Sequence, residues 1–182
     1  MCNCPSEDEM FRSIDRWIDE RRWQLIGVGY GDPPSPVPWT YTIGLGEAFV
    51  HPELFTVGAC CYPCSGSLLN ALGDRVAAGE RFDAPTQEPI VVHDPAGDFE
   101  VHVRPVEGRP LDTDWFAMWH RYYGSKPYAP PPLGVMQVVL PDRRGRDPWE
   151  PGCEPVDAER QQVPDRPPSP TRAMRRRARH RR

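Results

Sequence analysis

The 182-residue chain contains no run of the roughly 18 consecutive apolar residues that a membrane span needs, so no part of it reads as a transmembrane helix. Its start, Met1-Cys2-Asn3-Cys4-Pro5-Ser6-Glu7-Asp8-Glu9, lacks the basic opening and the apolar stretch of a signal peptide. A cytoplasmic protein is the expectation. No internal repeat is visible. No glycine-rich phosphate loop of the P-loop or dinucleotide type occurs, and Ser65 and Ser67 lack the G-x-S-x-G setting of a nucleophile elbow. These absences remove nucleotide binding through the familiar motifs and serine-hydrolase chemistry. Acidic residues are missing from Arg166 onward, where eight Arg stand. Residues 1–165 carry 14 Lys and Arg against 26 Asp and Glu, so the net charge of −4 conceals a body of −12. Such a body repels phosphates, which leaves nucleic acid as a partner only through the Arg-rich tail. With no aromatic side chains interleaved to stack on bases, that tail reads as a solvated end.

What the chain does hold is apolar bulk and many breakers. Hydrophobic residues make up 38% and aromatic residues 10%, enough for one core, while 24 Pro and 15 Gly exclude a long helical bundle. Ser6 and Glu9 have the spacing of a capping box, and Met10, Phe11, Ile14, Trp17 and Ile18 share one helical face, which predicts a helix over Glu7–Arg22. Strands are expected at Trp23–Tyr30, Trp39–Leu45 and Leu54–Ala59, with a rigid proline loop between the first two. Leu68, Leu69, Leu72 and Val76 mark a second helix over Ser67–Ala78, closed by Gly79. Ile90–His93 and Phe99–Val103 flank a hairpin turn, Trp115–Tyr122 suggests a short third helix, and Val135–Leu140 a last strand. Strands without regular helix alternation predict an α+β fold, a mainly antiparallel sheet of about five to six strands with about three helices. Residues 1–150 form the expected domain. Residues 151–182, rich in Pro and then in Arg, form the expected disordered tail.

Several stretches carry a family resemblance: the N-terminal Cys pair, Trp39-Thr40-Tyr41-Thr42-Ile43-Gly44-Leu45, His51-Pro52-Glu53-Leu54, Leu68-Leu69-Asn70, Gln137 through Asp142, Gly145, Pro148 and Trp149. Together they resemble the bacterial family catalogued as domain of unknown function 4262. The resemblance implies an intracellular domain of about this length and brings no reaction, cofactor or catalytic residue with it. Two features depart from the family pattern: the pair here is Cys2-x-Cys4, and Cys60, Cys61 and Cys64 have no counterpart.

Polar and aromatic residues gather at strand ends in those same stretches. They predict a cleft for a small molecule, peptide or protein partner near Tyr41, Thr42, His51, Glu53, Gln137, Asp142 and Trp149. Thr42 and Gln137 would hydrogen-bond, His51, Glu53 and Asp142 would recognise charge, and Tyr41 and Trp149 would stack. His-Pro-Glu could equally shape a turn, and the aromatic residues Trp39, Tyr41, Trp115, Trp119, Tyr122, Tyr123 and Trp149 could be core.

The cysteines offer a reading of another class. Cys61-Tyr62-Pro63-Cys64 lies between a predicted strand and a predicted helix, where a helix N-terminus favours a thiolate for thiol-disulfide exchange. With Cys2 and Cys4, the pair Cys61 and Cys64 would supply four thiolates for zinc. Buried structural thiols are the plain alternative. A deaminase-like zinc site joining His51 to Cys61 is excluded, since a strand at about 3.3 Å per residue sets them about 20 Å apart. His93 and His102, on paired strands, could face one another as metal ligands.

Overall fold

The computed structural model describes residues 6–29, 37–58, 62–93, 98–112, 114–129, 131–154, 159, 161 and 162. Ser6 opens the first helix, α1 (Glu7–Asp19), as the spacing predicted: its hydroxyl accepts from Glu9 N at 3.3 Å while the Glu9 carboxylate accepts from Ser6 N at 2.7 Å. The helix ends at Asp19, short of the expected Arg22. Arg21 takes φ +53°, and the amides of Arg21 and Arg22 return to the carbonyls of Ile18 and Trp17, a Schellman closure with Arg where Gly is usual.

The elements that follow are β1 (Gln24–Val28), β2 (Trp39–Ile43), α2 (Leu45–Phe49), β3 (Glu53–Val57), α3 (Tyr62–Ala77), β4 (Ile90–Val92), β5 (Phe99–Pro105), two 3-10 turns (Arg109–Asp112 and Asp114–Phe116), α4 (Ala117–Gly124) and β6 (Val135–Val139). The fold is α+β, with one six-stranded sheet in the order β1-β2-β3-β6-β5-β4. Every neighbouring pair is antiparallel except β3 and β6, which run parallel. Helix α2 and the parallel pair were not expected. The third strand begins at Glu53, not Leu54, and α3 begins at Tyr62, earlier than Ser67. Gly79 at φ +100° closes α3 as predicted, with Gly79 N on Val76 O and Glu80 N on Arg75 O.

Helices cover both faces. On one face Leu68, Leu69, Leu72 and Val76 of α3 pack on Leu54, Val101, Val103, Met136 and Val138. Trp23 lies so close to α3 that a Cβ at Gly73 would stand 2.3 Å from its ring, and its indole N–H donates to Asn70 Oδ1 at 3.1 Å. On the other face α1, α4 and the second 3-10 turn bring Ile14, Trp115, Phe116, Trp119, Tyr122 and Tyr123 onto Tyr41, Ile43, Phe55 and Val135. Six of the seven aromatic residues considered for the core are buried there, and Trp149 is not.

One register row crosses five of the six strands on this second face: Ile26, Tyr41, Phe55, Gln137, Arg104. It is apolar over β1–β3 and polar over β6 and β5. The polar half is covered by the chain after β6, whose Gln161 side chain clasps the Leu140 backbone, accepting from its N at 2.9 Å and donating to its O at 2.8 Å. Gln161 is buried although it lies past residue 150, in the stretch expected to be tail. Among the described residues no helix is long and apolar enough to cross a membrane.

Candidate functional site

Where β2 ends, Gly44 turns the chain with φ +118°, a conformation that leaves no room for a side chain: a Cβ would stand 3.2 Å from Arg22 O and 2.9 Å from Ile18. The turn aims three successive amides inward, and the Glu53 carboxylate receives them. Oε1 accepts from Gly44 N at 2.9 Å and Gly46 N at 3.3 Å, while Oε2 accepts from Leu45 N at 3.3 Å and the Thr42 hydroxyl at 2.6 Å. Thr42 Oγ1 in turn accepts from Leu54 N at 2.9 Å. Helix α2 has no capping side chain of its own, so the carboxylate from β3 serves as its cap. Burial pushes the Glu53 carboxyl up to about 7, against the lowering effect of Thr42 and the amides of Gly44, Gly46 and Leu45.

His51 is also buried and doubly engaged. Its Nε2 accepts from Phe82 N at 2.9 Å, which leaves the proton on Nδ1, 2.7 Å from Pro52 O. Burial, with Arg81 adding to it, lowers its pKa, so the ring is neutral at pH 7 and pins the segment after α3. Above His51 and Glu53 opens a cleft of about 220 Å3 walled by Val50, Pro52, Trp119, Pro131, Leu133 and Gly134. Val50 stands at this cleft with φ +53° and 80% exposure. A β-branched residue in the left-handed region is a true outlier, because Cβ and its methyls crowd the backbone.

A second hollow, of about 400 Å3, lies along β5 and is lined by Arg104, Pro105, Val106, Glu107, Pro110 and Gln137. It shares no lining residue with the first. Gln137 is 2% exposed and donates from Nε2 to Gln161 O at 2.6 Å. The exposed Trp149 ring sits beside it, with the Arg104 guanidinium 5.1 Å from the ring centroid and His102 meeting it edge-on at 6.3 Å. Beneath the ring, His102 Nε2 stands 3.5 Å from Asp147 Oδ2, and Asp147 Oδ1 is buried with no hydrogen-bond partner among the described residues. Burial raises the Asp147 pKa, partly offset by His102.

Asp142 places this region. Its carboxylate takes two bonds from the Arg146 guanidinium at 2.8 and 3.0 Å, and the amides of Arg144, Arg146 and Glu154 at 2.8, 3.0 and 3.2 Å. Burial opposes its ionisation, but Arg146 and these amides outweigh that and hold the carboxyl well below the usual range. The turn it organises, with Gly145 at φ +74°, delivers Trp149 to β5.

The seven residues expected in one cleft are thus divided. His51 and Glu53 line the first hollow and Thr42 holds Glu53 from behind; Gln137 lines the second, bordered by Trp149 and anchored by Asp142. Tyr41 lies in the core, its hydroxyl accepting from Met118 N at 3.2 Å, and burial raises its phenol well above the usual range. Arg104, Val50 and Asp147 were missed. The alternation Val101-His102-Val103-Arg104 was a signal for Arg104, since it puts His102 and Arg104 on one face of β5.

His93 and His102, which could have faced one another as metal ligands, do not. The register pairs Val92 with Phe99, and His93 reaches Asp98 at 2.9 Å, while His102 lies opposite Val139 and turns to Asp147. Of the cysteines expected to hold zinc or to exchange disulfides, Cys2, Cys4 and Cys61 lie outside the described residues; Cys64 is half-buried on α3. Among the described residues no group of three or more His, Cys, Asp or Glu is arranged to hold a metal.

The family model described as Domain of unknown function (DUF4262) matches residues 17–154. No curated protein and no solved structure matches the chain.

Proposed function

The chain belongs to the DUF4262 family, and we propose that it is a binding domain whose cleft between α2, α4 and the Pro131–Gly134 segment takes an apolar group of a small molecule, peptide or protein partner. His51 and Glu53 lie under that group, Thr42 steadies Glu53, and Tyr41 supports the wall through its bond to the start of α4. Val50 carries the reading. Holding a β-branched side chain at positive φ costs about 1–3 kcal/mol, and glycine would suit the position better on steric grounds. A residue that strains the backbone and also exposes apolar surface beside an apolar cleft is explained by contact with a ligand.

Val50→Gly separates the two effects. The variant is expected to be more stable by about 1 kcal/mol in urea unfolding, because relief of strain exceeds the added chain entropy. Small apolar fragments added to 15N-labelled protein should shift the Gly46 and Gly134 amides and the Trp119 indole N–H saturably, and at least tenfold more weakly in the variant. Equal shifts in both proteins, or none at these three positions, would end the proposal.

A further inference from the structure

The second hollow is a site of different chemistry. Arg104 is exposed at its border, and among the described residues no carboxylate lies within ion-pair distance of its guanidinium, which lies over the Trp149 ring. Trp149 is 49% exposed, so the ring retains open surface beside that contact. The floor is Gln137. Its orientation follows from the bond to Gln161 O, which only the Nε2 end can make. Its Oε1 has no hydrogen-bond partner among the described residues, although the residue is 2% exposed, and it lines the hollow. That oxygen is open to the hollow and not sealed in, so a ligand donor can reach it. Two unlike offers line the hollow, a planar cation with donors to spare and an acceptor in the floor, and an aromatic ring adjoins them through its contact with Arg104. Glu107 is the acid in the lining and is exposed. Asp147 is turned to His102 below Trp149.

We propose that this hollow binds a planar aromatic ligand bearing a carboxylate or phosphate, with the ring on Trp149, the anion on Arg104 and a ligand N–H on Gln137. Guanidinium meets a carboxylate or phosphate through two parallel N–H bonds, which a neutral ligand cannot exploit. The acidic body opposes an anion at long range, but exposed charges beyond about 8 Å are screened at physiological salt, and the contact at Arg104 decides. The hollow's volume of about 400 Å3 falls in the range of about 300–1,000 Å3 usual for small-molecule sites.

Saturation-transfer NMR on the full chain tests this with matched probes that all carry an amino group: 4-aminobenzoate and adenosine monophosphate against their uncharged counterparts 4-aminobenzamide and adenosine. At least one anion should bind saturably, at least tenfold tighter than its uncharged counterpart. Binding should fall at least tenfold in Arg104→Gln and in Trp149→Leu and be unchanged in Val50→Gly, whose substitution lies at the other cleft. Both surface variants change exposed side chains, and an unchanged unfolding midpoint confirms that they fold. Gln137→Glu, which sets a like charge on the floor, should weaken the anion further than it weakens the neutral probe. No saturable binding by either anion, equal binding of charged and uncharged probes, or full binding in Arg104→Gln overturns the proposal.

Discussion

Glu53 and Asp142 are both carboxylates closed in by backbone amides, yet they hold their protons oppositely. Each accepts from three amides, Gly44 to Gly46 of a single turn in one case, and Arg144 and Arg146 of a turn together with the more distant Glu154 in the other. The remaining donor differs. Thr42 gives Glu53 a neutral hydroxyl, whereas Arg146 gives Asp142 a full positive charge through two bonds. Dipoles alone do not offset the loss of water around Glu53, and its carboxyl is pushed up to about 7; a guanidinium in contact more than offsets it around Asp142. A shell that satisfies every lone pair can still leave a carboxylate poised near neutrality. Depth of burial and compensation of charge together, not the number of hydrogen bonds, set the direction.

The largest break in this comparison comes from removing Glu53. Glu53→Ala leaves three inward amides and the Thr42 hydroxyl without their acceptor, and a loss of about 4 kcal/mol is expected in urea unfolding. Asp142→Ala should cost less, because Arg144 and Glu154 lie exposed and water can replace the carboxylate. A loss under about 1 kcal/mol in Glu53→Ala would mean that α2 does not depend on its remote cap.

The next effect is a pH dependence. Folded Glu53 holds its proton up to about 7, against 4.5 for the ordinary carboxyl, so the folded state binds more protons between those values. Its contribution to stability is complete below about 4.5 and is lost as pH rises to about 7, an amount of about 3 kcal/mol. His51, whose pKa is lowered, acts in the opposite sense, since the unfolded state then binds more protons and stability rises with pH up to about 6.5. The difference between wild type and Glu53→Gln cancels His51 and every other group. That difference should fall by about 3 kcal/mol from pH 4.5 to pH 8; a flat difference would place Glu53 in the ionised state throughout. Asp142 contributes no slope in this range, because its stabilisation is present above the ordinary value of 3.8 and is lost only as pH falls through its lowered one.

The smallest effect sharpens the comparison. Arg146→Gln removes the guanidinium and leaves Asp142 with burial and amides, the situation of Glu53. Its carboxyl should then titrate higher than in wild type, read from the 13C shift of the Asp142 side chain. An unchanged titration would assign the low value to the amides alone.

The contrast between these two turns also separates what is readable locally from what is not. The Ser6–Glu9 box, the Gly79 closure of α3 and the β4–β5 hairpin join residues a few positions apart, so local patterns report them. Helix α2 escaped because its first turn carries no capping residue, its cap arriving from the following strand. The parallel pairing of β3 with β6 escaped for a related reason, as nothing in either strand names its partner. His51, Glu53 and Gln137 stood out as polar residues in apolar surroundings. That they serve two hollows instead of one depends on which neighbours their side chains meet.

Sequence alone determined the class of fold, the apolar faces of α1 and α3, the turn that needs glycine at Gly79, and the unequal charge of body and tail. These follow from chain stereochemistry and composition. Tertiary structure decided that Glu53 faces dipoles and Asp142 a cation, that Val50 is held at positive φ, and that Arg104 lies over Trp149. Such outcomes rest on contacts between segments distant in sequence, and electrostatic energies at a few ångströms depend on those contacts and not on residue type.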